Sequence, residues 1–306
     1  MGKSVALILL NWNTPQHTAQ CISTIMQFCD SSLFDIIIAD NGSSDNSLIL
    51  LQAQFPNQHI YIDNKENLGF AEGNNRALAY SLASGYTYSL LLNNDTEVDE
   101  DFLTPLINHL SQHPEAVAVQ SAIYYLHRKD KLWNGGSFFN NILGLTYSKN
   151  SRTRQNLKSF EKVDWITGCC MLMRNETLRK SGLLNGKFFL YYEDVDLSLR
   201  LKKFGELHYL PTAKIYHEAG ASGQQKSKNN EGTLSPVIHY YLSRNKIWFL
   251  RRYANPLFLP IIAFINLIYY GSLFGYFFLK KRNKKATYLY KGIREGLFTP
   301  LNSVWP

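Results

Sequence analysis

The feature that most constrains this chain is a series of short apolar runs, each closed by a polar cluster and followed by a helix-patterned stretch. Val5–Leu10 holds six apolar residues and ends at Asn11-Trp12-Asn13. Asp35-Ile36-Ile37-Ile38-Ala39 stops at Asp40-Asn41-Gly42-Ser43-Ser44-Asp45, Ile60-Tyr61-Ile62 is a third run, and Tyr88–Leu92 stops at Asn93-Asn94-Asp95. Runs this short and uniformly apolar fit strands covered on both faces, the situation of a parallel sheet. Between them Thr14-Pro15 opens a helix with Ala19, Ile22, Ile25 and Met26 at helical spacing, and Ser47–Phe55 and Gly73–Leu82 continue the alternation. The rhythm predicts an α/β, doubly wound, mostly parallel sheet flanked by helices, with functional groups at the C-terminal ends of the strands. G-x-G-x-x-G does not occur, which disfavours a dinucleotide-binding domain.

Beyond residue 120 the order is less regular. Trp165–Met173 reads as a further strand and Asp194–Phe204 as a helix, whereas Ser148–Lys162 (with Lys149, Arg152, Arg154, Lys158 and Lys162) and Gly220–Thr233 read as polar loops. The first apolar run is too short for a secretion signal and has no small-residue cleavage site, so it reads as a buried strand. Cys21, Cys29, Cys169 and Cys170 have neither the spacing of a zinc site nor a partner pattern, and read as free buried thiols in a reducing compartment.

Charge is unevenly placed. The whole chain carries +8, yet from residue 239 on there are 11 Lys and Arg against the single acid Glu295, which leaves the first 238 residues slightly acidic. That body is not built to bind nucleic acid. Within the basic region, Leu257–Leu279 is 23 residues without a charge, bounded by Arg251-Arg252 and by Lys280-Lys281-Arg282. A helix of that length is about 35 Å long, enough to cross a bilayer core of about 30 Å. Pro260, Asn266, Gly271 and Gly275 interrupt it, and positive charge at both ends gives no orientation. A span and a helix lying in an anionic membrane surface both fit.

Three segments carry chemistry. Asn93-Asn94-Asp95 offers hard oxygen ligands at a strand end, suited to Mg²⁺ or Mn²⁺ on a diphosphate, although Asn-Asn-Asp is also ordinary turn chemistry. Glu193-Asp194-Val195-Asp196 places three acids at a helix start. Compensation of the helix dipole accounts for Asp196 but poorly for the adjacent pair Glu193 and Asp194, whose repulsion calls for a cation or a reacting proton. His217 closes Lys214-Ile215-Tyr216.

In this order and spacing the segments resemble the family 2 inverting glycosyltransferases of the GT-A fold, particularly their rhamnosyltransferase-like branch, over about Val5 to Gly220. The resemblance implies a nucleotide-sugar half (1–98), an acceptor half (99–235) and a membrane-associated helical tail (236–306). It implies donor contacts from Trp12 (stacking on the base), Asp40 (nucleobase), Asn67, Gly69, Asn74, Asn94 and Asp95. Gly73 stands where some relatives carry arginine, and Asn93-Asn94-Asp95 occupies the D-x-D position with only its last residue acidic. It further implies acceptor contacts from Trp165, Gly168 and Glu193, catalysis by Asp194 as base, and a divalent metal, Mg²⁺ or Mn²⁺, on Asp95 and His217. The expected reaction is direct displacement of a nucleoside diphosphate, with dTDP-rhamnose as first donor. The expected acceptor is a polysaccharide or lipid-linked oligosaccharide, at the cytoplasmic face of the cell membrane. Two other classes compete. A sugar nucleotidyltransferase would begin with a Gly-rich phosphate loop, absent around Asn11–Gln16. A sugar-binding homologue without activity would not need Asp95 and Asp194.

Overall fold

The computed structural model describes residues 3–150, 157, 159–218 and 234–305. The four apolar runs form β1 (Val5–Asn11), β2 (Phe34–Asp40), β3 (Ile60–Asp63) and β4 (Tyr88–Asn93), alternating with α1 (Pro15–Phe28), α2 (Ser47–Gln54) and α3 (Gly69–Ala83). There follow β5 (Thr96–Glu97), α4 (Leu103–Gln112), β6 (Ala116–Tyr125) and β7 (Arg128–Asn134). A separate hairpin of β8 (Ser137–Asn140) and β9 (Leu145–Ser148) comes next. The region closes with β10 (Glu161–Val163), β11 (Cys170–Arg174), α5 (Asn175–Ser181), α6 (Glu193–Leu201) and β12 (Glu206–His217).

The main sheet runs β10-β12-β6-β11-β4-β1-β2-β3. β1 is parallel to both β2 and β4, with Asn11 opposite Asp40 and Leu10 opposite Asn93, so the polar clusters that end these strands share one edge. β11 enters antiparallel between β4 and β6, with Cys170 opposite Leu92, which makes the sheet mixed. Alternate residues feed two cores. Val5, Leu7 and Leu9 pack with Ile22 and Ile25 of α1, while Ala6 and Ile8 pack with Leu78 of α3 and Leu197 of α6. Each fully buried Leu or Ile contributes roughly 1.5–3 kcal/mol, which is why these strands contain so little else.

Several expected boundaries shift. α3 begins at Gly69, not Gly73, because the N–H groups of Phe70 and Ala71 donate to the distant carbonyl of Phe189 at 2.6 and 3.2 Å. The expected strand Trp165–Met173 is a strand only from Cys170; Trp165 makes an isolated bridge to Ser137, and a turn intervenes. The helix expected from Asp194 to Phe204 runs from Glu193 to Leu201. Met26 is exposed on α1 rather than buried. Of the expected loops, Gly220–Thr233 lies outside the described residues, as does much of Ser148–Lys162, whose last residues pair with β12. All four cysteines are free and buried, and burial pushes the thiols of Cys21 and Cys29 up to about 12.

The chain divides into two compact units: Met1–Phe138 with Ser148–Phe189 and Glu193–Ala219, and Phe139–Tyr147 with Leu190–Tyr192 and Gly220–Pro306. In the second, α7 (Pro236–Tyr253) precedes a short turn and α8 (Leu259–Leu279), followed by α9 (Asn283–Phe298) and α10 (Leu301–Val304). Gly292 of α9 sits where a Cβ would lie 2.1 Å from Ser243 Oγ and 2.4 Å from the Tyr240 carbonyl, so α9 crosses α7 closely. Pro256–Leu279 contains an 18-residue window of mean hydropathy 1.9, of which 11% is buried.

Candidate active site

The aligned strand ends are wired together by short polar side chains. Asn11 Nδ2 donates to Asp40 Oδ1 at 2.8 Å, and Ser43 donates to both carboxylate oxygens of Asp40 through its hydroxyl (2.7 Å) and N–H (2.9 Å). Asp40 is therefore buried and already engaged, a brace for the loop after β2 rather than a free group. Trp12, next to Asn11, is 44% exposed at the end of β1 and keeps its indole face free of the core. Asn94 Nδ2 donates to Thr14 and Thr18 at 2.8 Å each, and Thr18 donates to Asn11, which ties the Asn-Asn-Asp turn to the start of α1.

The start of α3 is built in the same way. Asn67 Oδ1 accepts from the Gly69 N–H (2.9 Å) and from Asn41 Nδ2 (3.1 Å), while Asn64 Nδ2 donates to Asn41 and to the Gly73 carbonyl. Gly69 has φ +74°, and a Cβ there would lie 2.4 Å from the Phe189 carbonyl oxygen. Asn74 donates to the Phe70 carbonyl within its own helix and is buried. The sequence assigns no role of their own to Asn41, which stands within the polar cluster after Ala39, or to Asn64; two asparagines after strands carry no signal until the loops meet.

Asp95 and His217 come from segments 122 residues apart, and β12 brings them together. His217 Nε2 lies 3.1 Å from Asp95 Oδ1, both side chains at most 10% exposed. The same nitrogen is 3.3 Å from Asn93 Nδ2, and Nδ1 is buried without a partner among the described residues. A carboxylate asks that nitrogen for a proton and an amide N–H asks it for a lone pair, so neither neutral tautomer satisfies the imidazole. A divalent cation taken by Asp95 and His217 Nε2 would resolve that conflict, so these residues fit a metal. A second group, Glu115, Glu206 and His208, also brings ligand atoms within 4.8 Å of one another. It lies at the start of β12, nine residues or about 30 Å of strand from His217, and its members pair with Lys162 and His113.

The acid pair sits at the start of α6. Asp194 Oδ2 accepts from the Gly168 N–H at 3.0 Å and Oδ1 from the Val195 N–H at 2.8 Å. Burial raises the Asp194 carboxyl above the usual aspartate range, and the N–H donors of Gly168 and Val195 and the Thr167 side chain pull it back. Glu193 is buried with Oε2 unpartnered among the described residues; burial and then the neighbouring Asp194 charge push it well above the ordinary glutamate value. Asp196 is instead spent on Arg200, one turn on, at 2.9 Å. Gly168 leaves no room for a Cβ, which would lie 2.9 Å from the Phe70 ring, and Trp165 donates its indole N–H to the Phe138 carbonyl at 3.1 Å. The Asn93 N–H donates to the Cys169 carbonyl at 3.0 Å, so the Gly168 turn that holds Asp194 is bonded to the strand end that precedes Asp95.

The residues leading into Glu193 are strained. Phe189, Tyr191 and Tyr192 all have positive φ, at 65°, 70° and 71°, a conformation that costs on the order of 1–3 kcal/mol per residue and persists where surroundings enforce it. Within the second unit, fully buried Asn245 donates both hydrogens of its amide to the carbonyls of Leu190 and Tyr191, each at 2.8 Å, and Arg244 fixes the amide by donating to its oxygen at 2.9 Å. Nothing in the Ser243-Arg244-Asn245 sequence announces this, since the partner carbonyls lie more than fifty residues away.

A mixed sheet that aligns its polar strand ends along one edge matches the GT-A architecture of solved glycosyltransferases. The chain belongs to glycosyl transferase family 2, whose profile matches residues 6–182. It is 25% identical over 236 residues to the N-acetylglucosaminyl-diphospho-decaprenol L-rhamnosyltransferase of Mycobacterium tuberculosis, covering 70% of this chain and 76% of that protein. It is 30% identical over 207 residues to the rhamnosyltransferase WbbL of Escherichia coli, covering 62% and 75%. The fold is similar to that of the mannosyltransferase PcManGT from Pyrobaculum calidifontis, solved with GDP-Man and Mn²⁺, at a TM-score of 0.58 and 13% identity over 97% of this chain and 88% of that one. GalNAc-T7, solved with UDP, GalNAc and Mn²⁺, gives a TM-score of 0.60 at 14% identity over 81% and 50%.

Proposed function

We propose that the protein is an inverting transferase that moves a sugar, first of all rhamnose from dTDP-rhamnose, onto a glycan or lipid-linked acceptor at the cytoplasmic face of a membrane. Residues 1–235 carry the chemistry and 236–306 the membrane contact. The observation that carries this reading is the bonded connection from Asp95 and His217, through Asn93 and Cys169, to Gly168 and Asp194. That connection supports reading Asp95 and His217 as the diphosphate side of the site and Asp194 as the proton acceptor beside it.

Trp12 stacks on the nucleobase; Asp40, held by Asn11 and Ser43, shapes the loop that receives it. Asn67, Gly69 and Asn74 set the start of α3 around the nucleotide, and Asn94 holds the turn that presents Asp95. Asp95 and His217 would hold a divalent metal, which when bound would supply charge neutralisation at the departing diphosphate. Asp194, its carboxyl raised by burial above the usual aspartate range, takes the proton of the acceptor hydroxyl as that oxygen attacks the anomeric carbon. One displacement needs no protein nucleophile and inverts the anomeric centre. Trp165, Gly168 and Glu193 line the acceptor side, and burial, which pushes the Glu193 carboxyl up, favours the protonated form that can donate a hydrogen bond to a sugar hydroxyl. Rhamnose is favoured because named relatives, including the dTDP-rhamnosyl transferase RfbF of Shigella flexneri, carry that sugar in their names.

A thermal-shift panel of nucleotides and nucleotide sugars, with and without Mn²⁺, tests the donor. A ligand of the folded state stabilises it by RT ln(1 + [L]/Kd), about 2.7 kcal/mol at a hundredfold excess over Kd. A shift confined to thymidine nucleotides and enlarged by Mn²⁺ is expected; an equal response to every nucleotide contradicts the donor assignment.

A further inference from the structure

The apolar helix α8 is uniformly apolar round its circumference, which by itself suits a transmembrane span. Its neighbours say otherwise. α7 runs antiparallel beside it and meets it at points: Leu250 and Ile262 both flank Gly144, Lys246 Nζ stands 4.8 Å over the Tyr269 ring, and the His239 and Phe277 rings are 4.9 Å apart. α9 closes the same side, where Ile247, Tyr270, Phe277 and Leu289 form one cluster. One stripe of α8 is therefore covered by protein at Ile262, Asn266, Tyr270 and Phe277. The opposite face is bare, with Phe264 63%, Leu267 72% and Phe278 80% exposed.

The covering layer is charged. Arg244 bonds Glu295, Arg251 bonds the carbonyls of Gly296 and Thr299, and Lys246 and Lys285 stand near the rings of Tyr269 and Phe277. If α8 crossed a bilayer, these groups would travel with it to hydrocarbon depth, where ionised side chains are costly. In the plane of the surface, the same three helices are amphipathic as a unit, with α8 as the apolar half and α7 and α9 as the polar half. Arg252 is exposed at one end of the bare face and Lys280, Lys281 and Lys284 at the other, while Glu295, the one acid after residue 239, is paired with Arg244. That pattern matches anionic head groups.

We propose that the second unit is a monotopic anchor in which α8 lies in one leaflet of an anionic bilayer with both of its ends on the same side. This rests on the reading that the C-terminal region meets a membrane, and the test separates the two. The native cysteines are buried, so Ala254→Cys and Asn283→Cys report the two ends of α8 and Leu267→Cys its bare face. Full-length protein is bound from outside to sealed vesicles containing phosphatidylglycerol and treated with a membrane-impermeant maleimide. Both ends are expected to label fully without detergent, while Leu267→Cys is protected at least tenfold until detergent is added. Labelling of one end only after permeabilisation would show a span and overturn the in-plane placement. Failure to float with the vesicles, with Leu267→Cys labelled equally in their presence, would overturn the membrane reading itself. Phe264→Glu with Leu267→Glu is expected to lower vesicle partitioning at least tenfold with nucleotide binding unchanged; unaltered partitioning would remove α8 from the contact.

Discussion

Asp194 and Glu193 are neighbours in sequence and opposites in circumstance. Asp194 is held by two backbone N–H groups that favour its charge, whereas Glu193 has an oxygen with no partner among the described residues. Asp194→Asn keeps the shape and cannot accept a proton, so transfer is expected to fall by roughly 10²–10⁴-fold while nucleotide binding persists; near-normal turnover would move the base role elsewhere. Glu193 binds its proton more tightly when folded than when unfolded. It therefore favours folding below its ordinary pKa, and that contribution is lost as pH rises through the raised value. Glu193→Gln is expected to stabilise the protein at pH 8 by on the order of 1–3 kcal/mol, with the gain fading toward pH 4. Thermal unfolding across that range checks the sign, and a gain independent of pH would mean that charge is not its source. At the other end of the site, Asp95→Ala is expected to weaken Mn²⁺-dependent donor binding more than His217→Ala, because it removes the charged ligand. Calorimetric titration of the donor with and without Mn²⁺ measures both. The residues of this site were largely legible because acids and a histidine at strand and helix ends are conspicuous. Asn41, Asn64, Thr167 and Asn245 were not, since an asparagine or threonine that serves a distant backbone has no local signature.

The elements divide along the same line. β1, β2 and β4 were readable because both faces are buried and only apolar residues satisfy that. α3 and β11 were misplaced by four or five residues because their starts are decided by tertiary partners, the Phe189 carbonyl for α3 and the Gly168 turn for β11. Gly69 is the point where this matters most: its φ of +74° and the nearby Phe189 oxygen exclude a side chain. Gly69→Ala is expected to cost roughly 1–3 kcal/mol. Because Phe189 lies four residues before Glu193, it should also lower kcat more than stability alone explains. Denaturant unfolding and turnover measured on the same preparation separate the two effects. Wild-type values for both would mean that the α3 start is not clamped in this way.

For the molecule as a whole, the alternation of strands and helices carried the fold class, and the order of motifs carried the family. The charge-free run told only that lipid contact was possible; what lies along α8 is a matter of which helices fold back onto it. Family 2 membership makes the protein a nucleotide-sugar glycosyltransferase, and the proposed roles of Asp194, Asp95 and His217 make it an inverting, metal-assisted one. The anomeric configuration of the product tests that most directly. NMR of the glycoside formed from a donor of known configuration, with Mn²⁺ present, is expected to show inversion, with no product after chelation. A product that keeps the donor's configuration would contradict the single displacement and the place given to Asp194.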